Sequence, residues 1–259
     1  MRIAFFGGVY NNHLALEAMF EDARRRGAQT LYCLGDIGGF GPHPDRSLEL
    51  LRDSGIGVVQ GNYDHSIGHG LDDCGCGYTD PRDNHYAQIS YQYTRAKTSP
   101  RHLAWLRALP ARLRVQTDAL SLLLVHGSPR KVNEFLWEST APDHLLERML
   151  DAERADVLLC THTGLPWQRR LPSGRRVVNV GAIGRPANDG GTHVWYALFD
   201  AERDDQPFEL IPLAFDHERL AAEMRAESLP EEFVETILTG WWTTCLEILP
   251  ARERLRGRY

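Results

Sequence analysis

No stretch of the 259-residue chain is both long and apolar enough to cross a bilayer. Its longest apolar runs are strand-sized, against the ~20 residues a spanning helix needs. Cysteine is scarce and odd in number. Five thiols, with Cys33 and Cys160 inside runs that read as buried strands, make no disulfide framework and predict reduced thiols in a cytoplasmic setting. An excess of positive charge is also missing. The formal charge of −6 argues against a general nucleic-acid surface and leaves room only for a local basic patch, such as the Arg-rich end at 252–259. The opening segment 1–7 is too short for a secretory signal and serves better as a first strand.

What the chain does have is a set of short apolar runs that end on polar side chains. Residues 30–34 read as a buried strand that stops at Gly35-Asp36-Ile37-Gly38-Gly39-Phe40-Gly41-Pro42, which places Asp36 at the carboxyl end of a strand, where open α/β sheets build their sites. Taken alone, Asp36 could equally be a turn residue that caps the next helix. Three further runs point the same way. Residues 56–60 lead into Gly61-Asn62-Tyr63-Asp64, 120–125 into His126-Gly127-Ser128-Pro129, and 156–160 into Thr161-His162-Thr163-Gly164. Asp36, Asn62, His126 and His162 together are hard oxygens and neutral imidazoles, a donor set for manganese, iron or zinc.

These motifs, followed by Asn179-Val180-Gly181-Ala182-Ile183-Gly184, resemble the calcineurin-like metallophosphoesterase family over about residues 1–215, and the stretch after Asp36 resembles its small bacterial members. The resemblance implies an α/β fold, a four-layer α-β-β-α sandwich of two facing mixed sheets flanked by helices. It also implies a two-metal site at the strand ends and hydrolysis of phosphomonoesters or phosphodiesters. Residues 1–215 are then the family-like domain, and 216–259 a C-terminal helical extension packed on it.

The departures fall on one side of that site. The family opens with an Asp-x-His-Gly-Asn turn after its first strand; here Gly8 stands in place of the Asp and Tyr10 in place of the His. The family's Gly-His-x-His becomes Thr161-His162-Thr163-Gly164, so Gly164 replaces its second His. In the family those three residues bind one metal, while Asp36 bridges to the other. The second metal's set, Asp36, Asn62, His126 and His162, is whole. Loss sorted by site predicts one divalent ion rather than two, or an inherited pocket turned to binding a nucleotide, phosphate or protein partner. Tyr63 stands where the family more often carries the His that protonates the leaving group, and a tyrosine near pKa ~10 is a poor proton shuttle at neutral pH. The expected enzyme therefore acts on a phosphate-containing small molecule or nucleotide, with one ion polarising a phosphoryl oxygen and activating water.

Several residues around this set are further candidates. Asp64 belongs to the Asn62 motif, and Tyr10 could offer a hydroxyl to a phosphate held by the Gly7-Gly8 turn and the helix start that follows. Asn11-Asn12 can cap that helix, and His13, Asn12 or Tyr10 could also rebuild a second metal site. The segment 68–84 reads as a loop over the substrate, with Arg82 as a phosphate partner. Its Cys74-Gly75-Cys76 lacks both the Cys-x-x-Cys spacing and the second pair of a zinc site. Helices are expected at 85–97 and 100–109, hairpins at 112–125 and 167–179, a helix at 142–153, and strands at 192–200 and 208–215. Trp241-Trp242 pack within the chain, cover a sheet edge, line the site's mouth or meet a second subunit. RNA anchoring by the Arg-rich end rests on composition alone.

Overall fold

The computed structural model describes residues 1–203 and 205–255. In chain order the elements are β1 (Arg2–Phe6), α1 (His13–Arg25), β2 (Thr30–Cys33), α2 (Pro44–Ser54), β3 (Gly57–Val58), α3 (Asn62–His69), α4 (Pro81–Lys97), α5 (Pro100–Ala108), β4 (Arg112–Gln116), β5 (Ser121–Val125), α6 (Asp143–Glu153), β6 (Val157–Cys160), β7 (Pro166–Arg170), β8 (Arg176–Val180), β9 (Val194–Asp200), β10 (Phe208–Leu213), α7 (His217–Ala226), α8 (Glu231–Thr239) and α9 (Ala251–Arg254). Among the described residues no helix is long and apolar enough to cross a membrane.

Alternation within single strands produces the layers, because successive side chains of a strand point to opposite faces. Ile3 and Phe5 of β1 meet Leu122 and Leu124 of β5, Val157 and Leu159 of β6, and Val178 and Val180 of β8 in the space between two sheets. Ala4 and Phe6 point the other way, onto Ala15, Leu16 and Met19 of α1. On the far side Leu123, Val125, Leu158 and Val177 face Leu146, Met149 and Leu150 of α6. The result is the expected sandwich of two mixed five-stranded sheets between helices, ordered β10-β9-β1-β2-β3 and β4-β5-β6-β8-β7. At the centre of each sheet the strands run parallel, β1 beside β2 beside β3 and β5 beside β6 beside β8, so their carboxyl ends and the loops that leave them gather on one edge.

Local chemistry moves some boundaries. α3 was not foreseen: Tyr63 and Ile67 are too few to show a helical apolar face, and the turn is started by Gly61, whose N–H is accepted by Asp64 at 2.8 Å. α4 begins at Pro81 rather than at residue 85, because Asp80 caps it by accepting from the Arg82 N–H at 2.8 Å and proline suits a first turn. β2 is less buried than expected, with Thr30 exposed and Leu31 and Tyr32 half-buried.

After β10 the chain returns to the same edge. Leu220, Ala221 and Met224 of α7 and Phe233, Val234 and Ile237 of α8 pack on Tyr10, Leu14, Phe40 and Ala182. Within this contact Glu223 of α7 lies 3.5 Å from both His13 Nε2 and Arg46 Nη1. Of the Arg-rich end, Arg252 and Arg254 lie in α9, where the buried Glu253 accepts from Ser139 N–H at 2.9 Å and Ser139 Oγ at 2.6 Å. Residues 256–259 lie outside the described residues, and with them half of the sequence expected to anchor RNA.

Two outcomes follow for stability. Gly35 has φ +85°, and a Cβ there would meet the Gly61 nitrogen at 2.4 Å and the Val59 oxygen at 2.6 Å. Gly174 has a similar φ of +88° with nothing within 4 Å. Urea unfolding is expected to show a loss of about 3 kcal/mol or more for Gly35→Ala and about 1 kcal/mol for Gly174→Ala. The second concerns His13, whose imidazole burial pulls down from 6.5 to about 4, opposed by Glu223 and assisted by Arg46. Between these values the unfolded chain binds the extra proton, so stability falls as pH drops from 6.5 toward 4. Unfolding midpoints measured across that range should fall less steeply for His13→Gln.

Candidate metal centre

Asp64 ties two strand exits together. Its carboxylate accepts from the N–H groups of Asp36 at 2.9 Å, Ile37 at 2.9 Å and Gly61 at 2.8 Å, so the turn after β2 is held against the start of α3. Burial, then the Asp36 charge, lifts this carboxyl to about 6, while the N–H groups of Gly61 and Ile37 pull it back. Asp36 itself sits at φ +53°, a region that costs a non-glycine residue roughly 1–3 kcal/mol. That conformation is held from both sides. The Asp36 carbonyl accepts from Val9 N–H at 2.8 Å and Tyr10 N–H at 3.1 Å, and its Oδ1 accepts from Tyr63 N–H at 3.0 Å.

With Oδ1 engaged, Oδ2 of Asp36 lies 3.2 Å from His126 Nε2, which in turn is 3.1 Å from His162 Nδ1. The three side chains are buried, and their donor atoms lie within 4.8 Å of one another. His126 Nδ1 is fixed by the Leu34 carbonyl at 2.7 Å, an arrangement that sets the ring and leaves Nε2 for the shared centre. Burial resists ionisation of Asp36, yet His126 and then His162 hold its carboxyl below the ordinary range. Burial, followed by the His126 charge, drives His162 down to about 3, so this imidazole is neutral and its lone pair is available. Asn62 opens α3, one residue before Tyr63, whose N–H donates to Asp36 Oδ1. Its amide N–H₂ donates to the Cys74 carbonyl at 2.9 Å and contacts Cys76 Sγ at 3.5 Å, while its Oδ1 is buried with no hydrogen-bond partner. An orphaned amide oxygen, a carboxylate and two imidazoles suit a divalent first-row ion in both softness and charge.

The opposite half is filled by side chains. A Cβ on Gly8 would lie 2.9 Å from Tyr10 Cζ and 3.0 Å from its hydroxyl oxygen, so the Tyr10 ring takes the space into which a side chain at Gly8 would grow. A Cβ on Gly164 would stand 3.5 Å from the Trp242 ring and 3.9 Å from Arg185 Nε. Arg185 was missed by sequence reasoning, since the motif Asn179 to Gly184 ends one residue before it. It is only 7% exposed. Its guanidinium lies 3.5 Å from the Trp242 ring centre, 5.7 Å from that of Phe40 and 6.0 Å from that of Tyr10. Among the described residues no carboxylate is within ion-pair reach of it, and Nε has no hydrogen-bond partner. Stacking on tryptophan returns about 2 kcal/mol, less than the several kcal/mol that desolvating an ion costs.

Between the two halves lies a cavity with about 50 Å³ of space open to the centre of a water molecule, lined by Tyr10, Asp36, His162, Arg185, Thr244 and Tyr78 among others. The remaining sequence candidates are dispersed. Asn12 accepts from Ala15 N–H at 3.0 Å and donates to the Ile183 carbonyl at 3.3 Å, so it caps α1 and does not line the cavity. Arg82 donates to the Thr243 carbonyl at 2.9 Å and lies 5.3 Å from the Tyr86 ring centre, again outside the cavity. Tyr63 lines it, with its hydroxyl 3.2 Å from Ser90 Oγ. Cys74 and Cys76 are joined by a disulfide, which corrects the expectation of five reduced thiols; Gly75 at φ +59° lets their Cα atoms come within 5.3 Å. Cys33, Cys160 and Cys245 are free and buried. Trp242 is buried under Arg185, with Nε1 donating to the Pro186 carbonyl at 2.6 Å. A second cluster, Asp45, Glu49 and His102, is already engaged by Arg101 and Ser99.

A family model described as a calcineurin-like phosphoesterase superfamily domain matches residues 1–204. An uncharacterized protein of Methanocaldococcus jannaschii is 25% identical over 252 residues, covering 92% of this chain and 98% of the relative. Among solved structures, a metallophosphoesterase from Sphaerobacter thermophilus is 28% identical with a TM-score of 0.72, covering 93% of this chain and 99% of its own. A hypothetical protein from Pyrococcus horikoshii OT3 shares the fold at 24% identity and a TM-score of 0.76, over 93% of this chain and 99% of its own.

Replacing Asp64 by asparagine turns an N–H₂ toward backbone donors that now have a carboxylate. Asp64→Asn is expected to cost about 2–4 kcal/mol in urea unfolding of chelator-treated protein, a loss in the backbone staple that exists without any ion.

Proposed function

Because the chain belongs to the calcineurin-like phosphoesterase superfamily, we propose that it is a metal-dependent phosphoesterase working with one divalent ion, and that Asp36, Asn62, His126 and His162 hold that ion. The observation that carries this reading is the convergence of the Asp36, His126 and His162 donor atoms within 4.8 Å of one another, all buried. The unpartnered Oδ1 of Asn62 supports it as a fourth donor. Manganese, iron or zinc suits the set. Such an ion supplies Lewis acidity toward a phosphoryl oxygen and a water of lowered pKa.

The residues do the rest of the positioning. Asp64 and Tyr63, through backbone contacts, hold Asp36 in its left-handed conformation, and Leu34 holds the His126 ring. Burial pushes the Tyr63 and Tyr10 hydroxyls well above their ordinary range, so at neutral pH both remain protonated and act as hydrogen-bond donors. Neither is matched to hand a proton to a leaving group. The substrates favoured are phosphomonoesters or phosphodiesters whose leaving group departs without prior protonation.

A second reading, a catalytically silent binder of a phosphate compound, draws support from the Tyr10 ring lying where a side chain at Gly8 would extend. Elemental analysis separates the two. One ion per chain is expected in protein purified without chelator, and is expected to be lost from His126→Ala and His162→Ala together with hydrolysis of an aryl phosphate ester. No ion in the wild type, even after incubation with each metal, would favour the silent binder.

A further inference from the structure

We infer that Arg185 is the anion-binding group of the cavity, and that its guanidinium holds a phosphoryl oxygen on the side of the site that carries no metal ligands. The inference takes its ligand class from the phosphoesterase reading, while its evidence is the state of Arg185 itself. Arg185 is only 7% exposed, and arginines buried to this degree in folded proteins are paired with carboxylates or with ligands. Arg185 has neither kind of partner among the described side chains. Three aromatic faces and the Cys245 thiol surround it, and its Nε donor is unused.

Its position fits the role. Arg185 shares the cavity with Asp36 and His162, so a group held by it would stand beside the candidate metal donors. Thr244 Oγ1, which lines the same cavity, is also buried and without a partner, and the Tyr10 hydroxyl is a third donor on the wall. An arginine, a threonine and a tyrosine that stays protonated offer several hydrogens and one positive charge to tetrahedral oxygens. That is the complement of a phosphoryl group. The space, about 50 Å³ to the centre of a water, is several times what one water requires and on the scale of one such group rather than a whole nucleotide. The positions that depart from the family pattern, Gly8, Tyr10 and Gly164, are also those packed around this arginine, either directly or through Tyr10 and Trp242. The glycine at 164 leaves room for the Trp242 ring, which forms the floor on which the guanidinium lies.

The test is titration of chelator-treated, full-length protein with inorganic phosphate at low salt, by calorimetry and by following arginine Nε–H signals in ¹⁵N-labelled protein. Wild type is expected to bind phosphate without metal, with one arginine Nε–H signal, absent from the Arg185→Gln spectrum, moving on titration. Affinity is expected to fall about tenfold or more in Arg185→Gln and less in Arg185→Lys, which keeps the charge and loses the fork. Metal content per chain should be the same in all three. If Arg185→Gln does not fold, the Nε–H signal of the wild type decides, assigned by its absence from Arg185→Lys. Phosphate binding in Arg185→Gln within twofold of wild type, no binding to metal-free wild type, or no moving arginine signal would each overturn the inference. Binding that depends on Arg185 in a protein that takes up no metal would uphold it and remove the phosphoesterase reading instead.

Discussion

The three hydrogen bonds accepted by Asp64 are the constraint from which the site is built. They bring the ends of two neighbouring strands to a common carboxylate, and they leave Asp36 in a backbone conformation it would not adopt alone. Everything downstream relies on that geometry. Asp36 can reach His126 with one oxygen only because the other is already taken by Tyr63 N–H, and the His126 ring is fixed by a carbonyl at the end of the same β2 run. The strain at Asp36 is thus offset by contacts made by its own backbone, its side chain and Asp64, none of which needs a bound ion.

Across the cavity, three substitutions that are separate in sequence form one structural unit. Tyr10 lies over Gly8, Trp242 over Gly164, and Arg185 between them. Adding a side chain at Gly8 would push the tyrosine, and a Cβ at Gly164 would come into contact with the tryptophan ring. These residues pack as one group across the cavity from Asp36 and His162.

Much of this was legible in the residues. The sandwich, its two hairpins and the strand ends at Asp36, His126 and His162 follow from short, nearly continuous apolar runs that stop at glycine-rich turns, a signal contained within a few residues. The short helix α3 was not, because Asn62-Tyr63-Asp64-His65 has no apolar stripe and is started by a hydrogen bond to the Gly61 backbone. Asn12 and Arg82 carry suitable chemistry, but one is used as a helix cap and the other is drawn to the Thr243 carbonyl. Arg185 was invisible for the opposite reason. Arginine is usually solvated, and part of what buries this one, the indole of Trp242 and the Cys245 thiol, comes from a stretch of the chain beyond the family match.

That last contact also orders events in time. Trp242, Thr244 and Cys245 belong to the segment after α8, and all three border the guanidinium or its cavity. Both sheets are complete once β10 has been made, so during synthesis, at roughly 5–20 residues per second, a nascent chain can form its sandwich and its Asp64 staple before the last part of the cavity wall, Phe233, Thr244 and Cys245, is in place. The pocket is closed from the carboxyl-terminal side, as a late fitting on a scaffold that is already standing.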